Sequence, residues 1–121
     1  MIDANVSRSN VPRSGLESLD AYRVAVEFCR LLFQATRKLR GHLVDQAQRA
    51  SESVVLNVAE AYPTSGPDRA RRFRIAGNEA AECYAALDLF ELRGQIGGPT
   101  LATLRQLLDR ERAMLWRLSH R

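Results

Sequence analysis

Lysine is nearly missing from this 121-residue chain: Lys38 stands alone, and arginine supplies the rest of the 18 basic residues set against 14 acidic ones. Arginine is the better side chain for bidentate pairing with carboxylates or phosphates, although a GC-rich genome also favours its codons. Cysteine and histidine are scarce too. Cys29 and Cys83 both fall within apolar helical patterns and read as small buried hydrophobes, and a reducing compartment argues against a disulfide between them. His42 lies at a loop and His120 near the end of the chain, so neither belongs to an i, i+4 pair or a Glu-x-x-His pattern that would hold a metal. No run of about 18 apolar residues is present, which excludes a membrane-spanning helix. The first residues lack a basic start followed by an apolar stretch, so no secretory signal is expected and a cytoplasmic location is. Gly94, Gly97 and Gly98 lack the strand and lysine of a phosphate-cradling loop and read as a helix end and turn. No Ser-His-Asp or Cys-His arrangement emerges. Neither an enzyme nor a cofactor is expected.

Also absent is any alternating strand pattern; what the chain contains is helical periodicity. Hydrophobic residues make up 45% and charged residues 26%, a soluble composition that suits one domain. Residues 1–17, polar and with Pro12, read as a disordered tail, and 18–121 as the folded domain. A first helix is expected from about Leu19 to Lys38, capped by Ser18. Its core stripe reads Leu19, Tyr22, Val26, Cys29, Phe33 and Thr36. Val24, Phe28, Leu31 and Ala35 form a second apolar stripe on another side. A helix in a monomeric bundle needs one buried stripe, so the second stripe marks an oligomer interface. A second helix covers about Leu43 to Tyr62. Ser65 and Asp68 resemble a capping box before a third helix, from Pro67 to Arg93, with Phe73, Ala76, Ala80, Cys83, Leu87 and Phe90 inside. A fourth, from Pro99 to Ser119, buries Leu101, Leu104, Leu108, Leu115 and Leu118, with Leu107 and Met114 beside them. Short connections make an all-α, up-down-up-down antiparallel four-helix bundle.

The second helix carries the most ordered pattern. Leu43, Ala47, Ala50, Val54, Val58 and Ala61 share one face at about 100° per residue. Gln46, Arg49, Ser53, Asn57 and Glu60 line the adjoining strip. Such a confined polar row points to pairing across helices that sets their register. A second cluster, Arg69, Arg71, Arg72 and Arg74, crowds the start of the third helix, where the macrodipole favours negative charge. Its partners are internal or intersubunit carboxylates such as Glu60, Asp68 and Glu79, or a bound phosphate. Arg23, Arg30 and Arg37 form another basic strip on the first helix. Glu60, Glu79 and Glu82 lack the histidines of a di-iron site, so pairing with arginines is expected. Trp116 falls off the fourth helix's apolar stripe, as an interface anchor or as cover for a bundle edge.

Leu43, Gln46, Arg49-Ala50, Ser53-Val54 and Asn57 through Glu60, followed by Arg72-Phe73, Ile75-Ala76 and Glu82, resemble the small bacterial four helix bundle proteins. That family is also known as the 23S rRNA intervening-sequence proteins. The resemblance runs from about Leu19 to Leu118. Ala61 stands where members usually have glycine, and Asn78-Glu79 where they commonly have Gly-Ser. The resemblance implies a homo-oligomer, a pentameric ring, without catalytic residues. A related branch serves diversity-generating retroelements, binding nucleic acid and partnering a reverse transcriptase. Two readings follow. One is a non-enzymatic oligomer that binds RNA or DNA through Arg69, Arg71, Arg72 and Arg74, with Arg23, Arg30 and Arg37 as a second strip. The alternative is a protein–protein scaffold or adaptor with no nucleic-acid role.

Overall fold

Four stretches of 3.6-residue periodicity become four helices: α1 (Arg13–Ala35), α2 (His42–Ala61), α3 (Gly66–Leu92) and α4 (Gly98–Ser119). The structure, a computed structural model, describes the backbone of residues 13–121 and the side chains from Gly15 onward. No strand occurs among the described residues. Each helix packs against two others in a closed cycle, α1 on α2, α2 on α3, α3 on α4 and α4 on α1, around one apolar core.

The expected inner faces of α2 and α3 are the buried ones. Leu43, Ala47, Ala50, Val54, Val58 and Ala61 are buried on α2, and Phe73, Ala76, Ala80, Cys83, Leu87 and Phe90 on α3. Each of these helices has one dominant apolar stripe, so burial has one solution. The α4 core is Leu101, Leu104, Leu108, Met114, Leu115 and Leu118, and it includes Glu111 as well.

The core stripe expected for α1 is buried only at its ends, Leu19 and Thr36, with Cys29 partly buried between them. Val24 and Phe28, expected at an oligomer interface, are buried within the chain's own core, joined by Ala21, Ala25 and Leu32. Leu31 and Ala35 are partly buried against the same core. Val26 and Phe33, expected inside, are 40% and 38% exposed, and Tyr22 is only partly buried. The two stripes are similarly apolar, so periodicity alone does not say which one points inward. The positions of α2 and α4 decide it.

The start of α1 also differs from expectation. Arg13–Glu17 are helical, so the domain begins before residue 18; the expected tail over residues 1–12 lies outside the described residues. Ser18 is not a cap but a buried residue inside the helix, and its hydroxyl has no hydrogen-bond partner among the described residues. The Glu17 carboxylate accounts for the added turn. It accepts from Arg117 Nε at 2.9 Å and from Arg121 Nη2 at 2.7 Å, tying the first turns of α1 to the end of α4.

Turn chemistry sets the other boundaries. Gly41 opens α2 at φ 117°, a conformation that favours glycine. Ser65 holds the N-cap position of α3 in extended geometry, yet its hydroxyl makes no capping bond, so the expected capping box does not form. At the other end of α3, Gly94 adopts φ 64°. Its N–H reaches Glu91 O and the Gln95 N–H reaches Phe90 O, each at 3.0 Å, the two bonds of a Schellman motif. Thr36 links α1 to α2: its hydroxyl donates to Leu32 O at 2.8 Å and accepts from Gln48 Nε2 at 3.1 Å.

Candidate nucleic-acid interface

The polar row of α2 lies at the surface rather than sealed between helices. Arg49 hydrogen-bonds Gln46 one turn back, and Asn57 Nδ2 donates to Ser53 O at 2.9 Å and to Ser53 Oγ at 3.1 Å. These pairs run along α2 itself. The pair within the row that crosses to another helix is Glu60 with Arg72 of α3, at 2.7 Å. Within the row, the ion pair that reaches another helix is therefore made by Glu60 with Arg72, not by the whole row as its spacing had implied. Arg49, Glu52, Ser53, Leu56, Asn57, Glu60 and Arg72 line an open groove there.

The arginine cluster at the start of α3 divides among several partners. Arg72 is taken by Glu60, and Arg71 approaches Asp68 at 4.0 Å. Arg69 places its guanidinium 5.2 Å from the Phe73 ring centroid and donates to Tyr62 O at 3.4 Å. Burial and the neighbouring Arg121 charge both lower the Arg69 pKa. Arg74 points along the seam between α3 and α4. The seam is basic because Arg112 of α4 joins it. Neither Arg74 nor Arg112 makes an ion pair among the described residues.

A groove of about 480 Å³ runs along this seam, lined by Phe73, Arg74, Gly77, Asn78, Asp109, Arg112, Trp116 and His120 among others. Trp116 is 62% exposed, and its ring stacks on His120 with centroids 4.1 Å apart and planes 16° apart. The imidazole is held by hydrogen bonding of Nδ1 with Trp116 O at 2.7 Å. Arg112 lies 5.5 Å from the Tyr84 ring centroid. Sequence reasoning missed Arg112 and the place of His120 in this groove. Arg112 lies four residues before Trp116 and His120 four after it, a spacing that would have placed all three on one α4 face.

The three arginines of the second basic strip differ in their partners. Arg30 is held by Glu27, with Nε donating to Oε2 at 3.0 Å. Arg23 is exposed and engaged in the fold. Arg37 lies at the far end beside Arg40, lining a separate groove with Phe33, Asp45 and Gln48.

No cluster of three metal-binding side chains exists among the described residues. Burial raises the pKa of both thiols, that of Cys83 to about 12. Burial and the adjacent Glu82 raise the Glu79 pKa, while Arg49 opposes the shift. His42 contacts Gln46 at 3.3 Å and is exposed. No described helix is long and apolar enough to cross a membrane.

These features can be set beside known proteins. A solved structure of a protein of unknown function, from the S23 ribosomal protein family in Bacteroides thetaiotaomicron, matches this fold with a TM-score of 0.79. The two chains are 18% identical, and the match covers 87% of this chain and 99% of that one. At that identity the likeness speaks for the fold. No curated protein matches the chain. The model of the 23S rRNA-intervening sequence protein family matches residues 17–117, from the Glu17 clasp through Trp116, including both the polar row and the arginine seam. The chain belongs to the 23S rRNA-intervening sequence protein family.

Proposed function

We propose that this protein is a non-enzymatic, self-assembling bundle of up-down-up-down topology that binds nucleic acid through the arginines of the α3–α4 seam. The observation that carries the reading is that Arg74 and Arg112 line one groove from adjoining helices, with Arg69 in a separate groove nearer the start of α3, none with a carboxylate within ion-pair distance among the described residues. Most other basic side chains near them have closer partners, Arg72 in Glu60 and Arg117 and Arg121 in Glu17, while Arg71 stands 4.0 Å from Asp68. The strongest binding residues are then Arg69, Arg74 and Arg112, and the first-helix strip contributes little. A net charge of +4 favours a polyanion at long range.

Self-assembly uses a different face. Val26, Cys29, Phe33, Val55 and Leu56 line an apolar groove of about 280 Å³ between α1 and α2. It adjoins the polar groove of Arg49, Glu52, Glu60 and Arg72 through the shared Glu52 and Leu56. An exposed apolar strip bordered by charges of both signs suits a second copy of the same chain. A ring built this way repeats the arginine seam in every subunit and multiplies its avidity for a long polyanion.

Binding is tested by fluorescence anisotropy with labelled RNA and DNA oligonucleotides at several salt concentrations. If a single subunit places three arginines on phosphates, single-strand affinity falls about 20-fold between 50 and 200 mM salt. Joint Arg74→Glu and Arg112→Glu substitution abolishes binding while the oligomer persists. No affinity even at 20 mM salt would refute the reading. Light scattering tests assembly: Leu56→Glu yields monomers, and an unchanged mass would refute the α1–α2 face.

A further inference from the structure

Trp116 lies on the water-exposed side of α4, flanked by Leu115 and Leu118 that fill the core without it. A large exposed aromatic adds little to bundle packing. Its surroundings are those of a binding groove: His120 covers one face of the indole, Arg74 and Arg112 bring positive charge, and Asn78 supplies an amide. Asp109 is the one carboxylate along that lining. The groove volume of about 480 Å³ falls within the range of clefts that hold small ligands, about 300–1,000 Å³.

Phosphate contacts alone require only charge, and a duplex satisfies them as well as a single strand does. An exposed indole beside arginines adds a preference, because an unpaired base presents a free π-face and a paired, stacked base does not. We infer that the α3–α4 groove receives an unpaired base of single-stranded RNA or DNA, stacked on Trp116, with Arg74 and Arg112 on the flanking phosphates. Asn78 and Asp109 face the base edge, where the amide donates to a ring carbonyl and the carboxylate accepts from a ring or amino N–H. The assignment rests on the nucleic-acid reading and adds strand selectivity to it. It also gives Trp116 a role that neither core packing nor the α1–α2 assembly face supplies.

Trp116 is the sole tryptophan, so indole emission, excited beyond the tyrosine band, reports on this groove. The experiment titrates the protein at low salt with a 12-nucleotide oligo(U), its DNA equivalent oligo(dT), and a 12-base-pair duplex, following both emission and the anisotropy of labelled strands. Saturable quenching by the single strands, tracking the anisotropy isotherm, is the expected result, with weaker quenching by the duplex. Trp116→Ala weakens single-strand binding roughly 5- to 150-fold and leaves duplex binding nearly unchanged, whereas Trp116→Phe restores most of the loss. Binding with unchanged emission, or equal losses for duplex and single strand in Trp116→Ala, overturns the stacking site and leaves the arginine reading standing. Absence of any binding overturns both. Quenching by only one of the two single strands supports the site and assigns it to that nucleic acid.

Discussion

Replacing Glu111 should make this protein more stable, and the gain should grow as pH rises. Glu111 is 1% exposed, and neither carboxyl oxygen has a hydrogen-bond partner among the described residues. Burial raises its pKa well above the ordinary 4.5, opposed only in part by the charge of Arg110. The folded carboxyl therefore keeps its proton to higher pH than the unfolded one, which ionises above about pH 4.5. Stability from this group is fully present below the unfolded value and is lost as pH rises toward the folded one. The slope is about 1.4 kcal/mol per pH unit within that window. The protonated acid still leaves buried polar atoms unpaired, at a cost of about 1–3 kcal/mol. Glu111→Met, similar in size, removes both penalties and adds apolar packing. Urea unfolding followed by helical circular dichroism, at pH 5 and pH 8, gives the difference between the two proteins. Groups common to both cancel in that difference. The Met variant should be at least about 2 kcal/mol more stable at pH 8, with a smaller margin at pH 5. Glu111→Gln should remove the pH dependence and keep much of the polar penalty. A margin equal at both pH values, or a wild type more stable at pH 8, would refute the reasoning and imply an internal partner for the carboxylate.

Three further expectations follow from the fold. Phe28→Ala should cost about 3–5 kcal/mol in thermal unfolding because it empties the core, while Phe33→Ala costs the monomer less than about 1 kcal/mol; reversal would restore the stripe assignment expected from sequence. Gly94→Ala should destabilise by about 1 kcal/mol in denaturant unfolding, since its φ of 64° disfavours a Cβ. Glu17→Gln should cost up to about 1 kcal/mol, in line with partly exposed pairs. It should also speed amide hydrogen exchange in the first turns of α1 and the last turn of α4 together; an effect confined to one helix would refute the clasp.

How much of this was legible in the sequence depended on how many faces each helix offered. In α2 and α3 a single apolar stripe fixed the inner side, and Gly94 marked the end of α3 correctly. In α1 two stripes competed, and only the packing of neighbours chose Val24 and Phe28 over Val26 and Phe33. The early start of α1 was hidden because the partners of Glu17 lie about a hundred residues away in α4. Glu111 was hidden by its neighbours: within a run of charged residues it looks solvated, yet its spacing from Leu104, Leu108, Leu115 and Leu118 is that of the core stripe. The site was half legible. Clustered arginines were visible before Phe73, but ion pairing decides which of them remain available, and pairing depends on what lies across the seam.

The Glu17 clasp makes the order of the helices in the chain a matter of convention. Three of the four seams are bridged by a loop, and the fourth, between α4 and α1, is bridged by a carboxylate held between two guanidiniums. A peptide linker across that fourth seam would let the chain be cut instead at the Tyr62–Gly66 turn, with every helix keeping both neighbours. In such a rearranged chain the arginines that open α3 would lie beside a free amino terminus, whose positive charge would add to the seam.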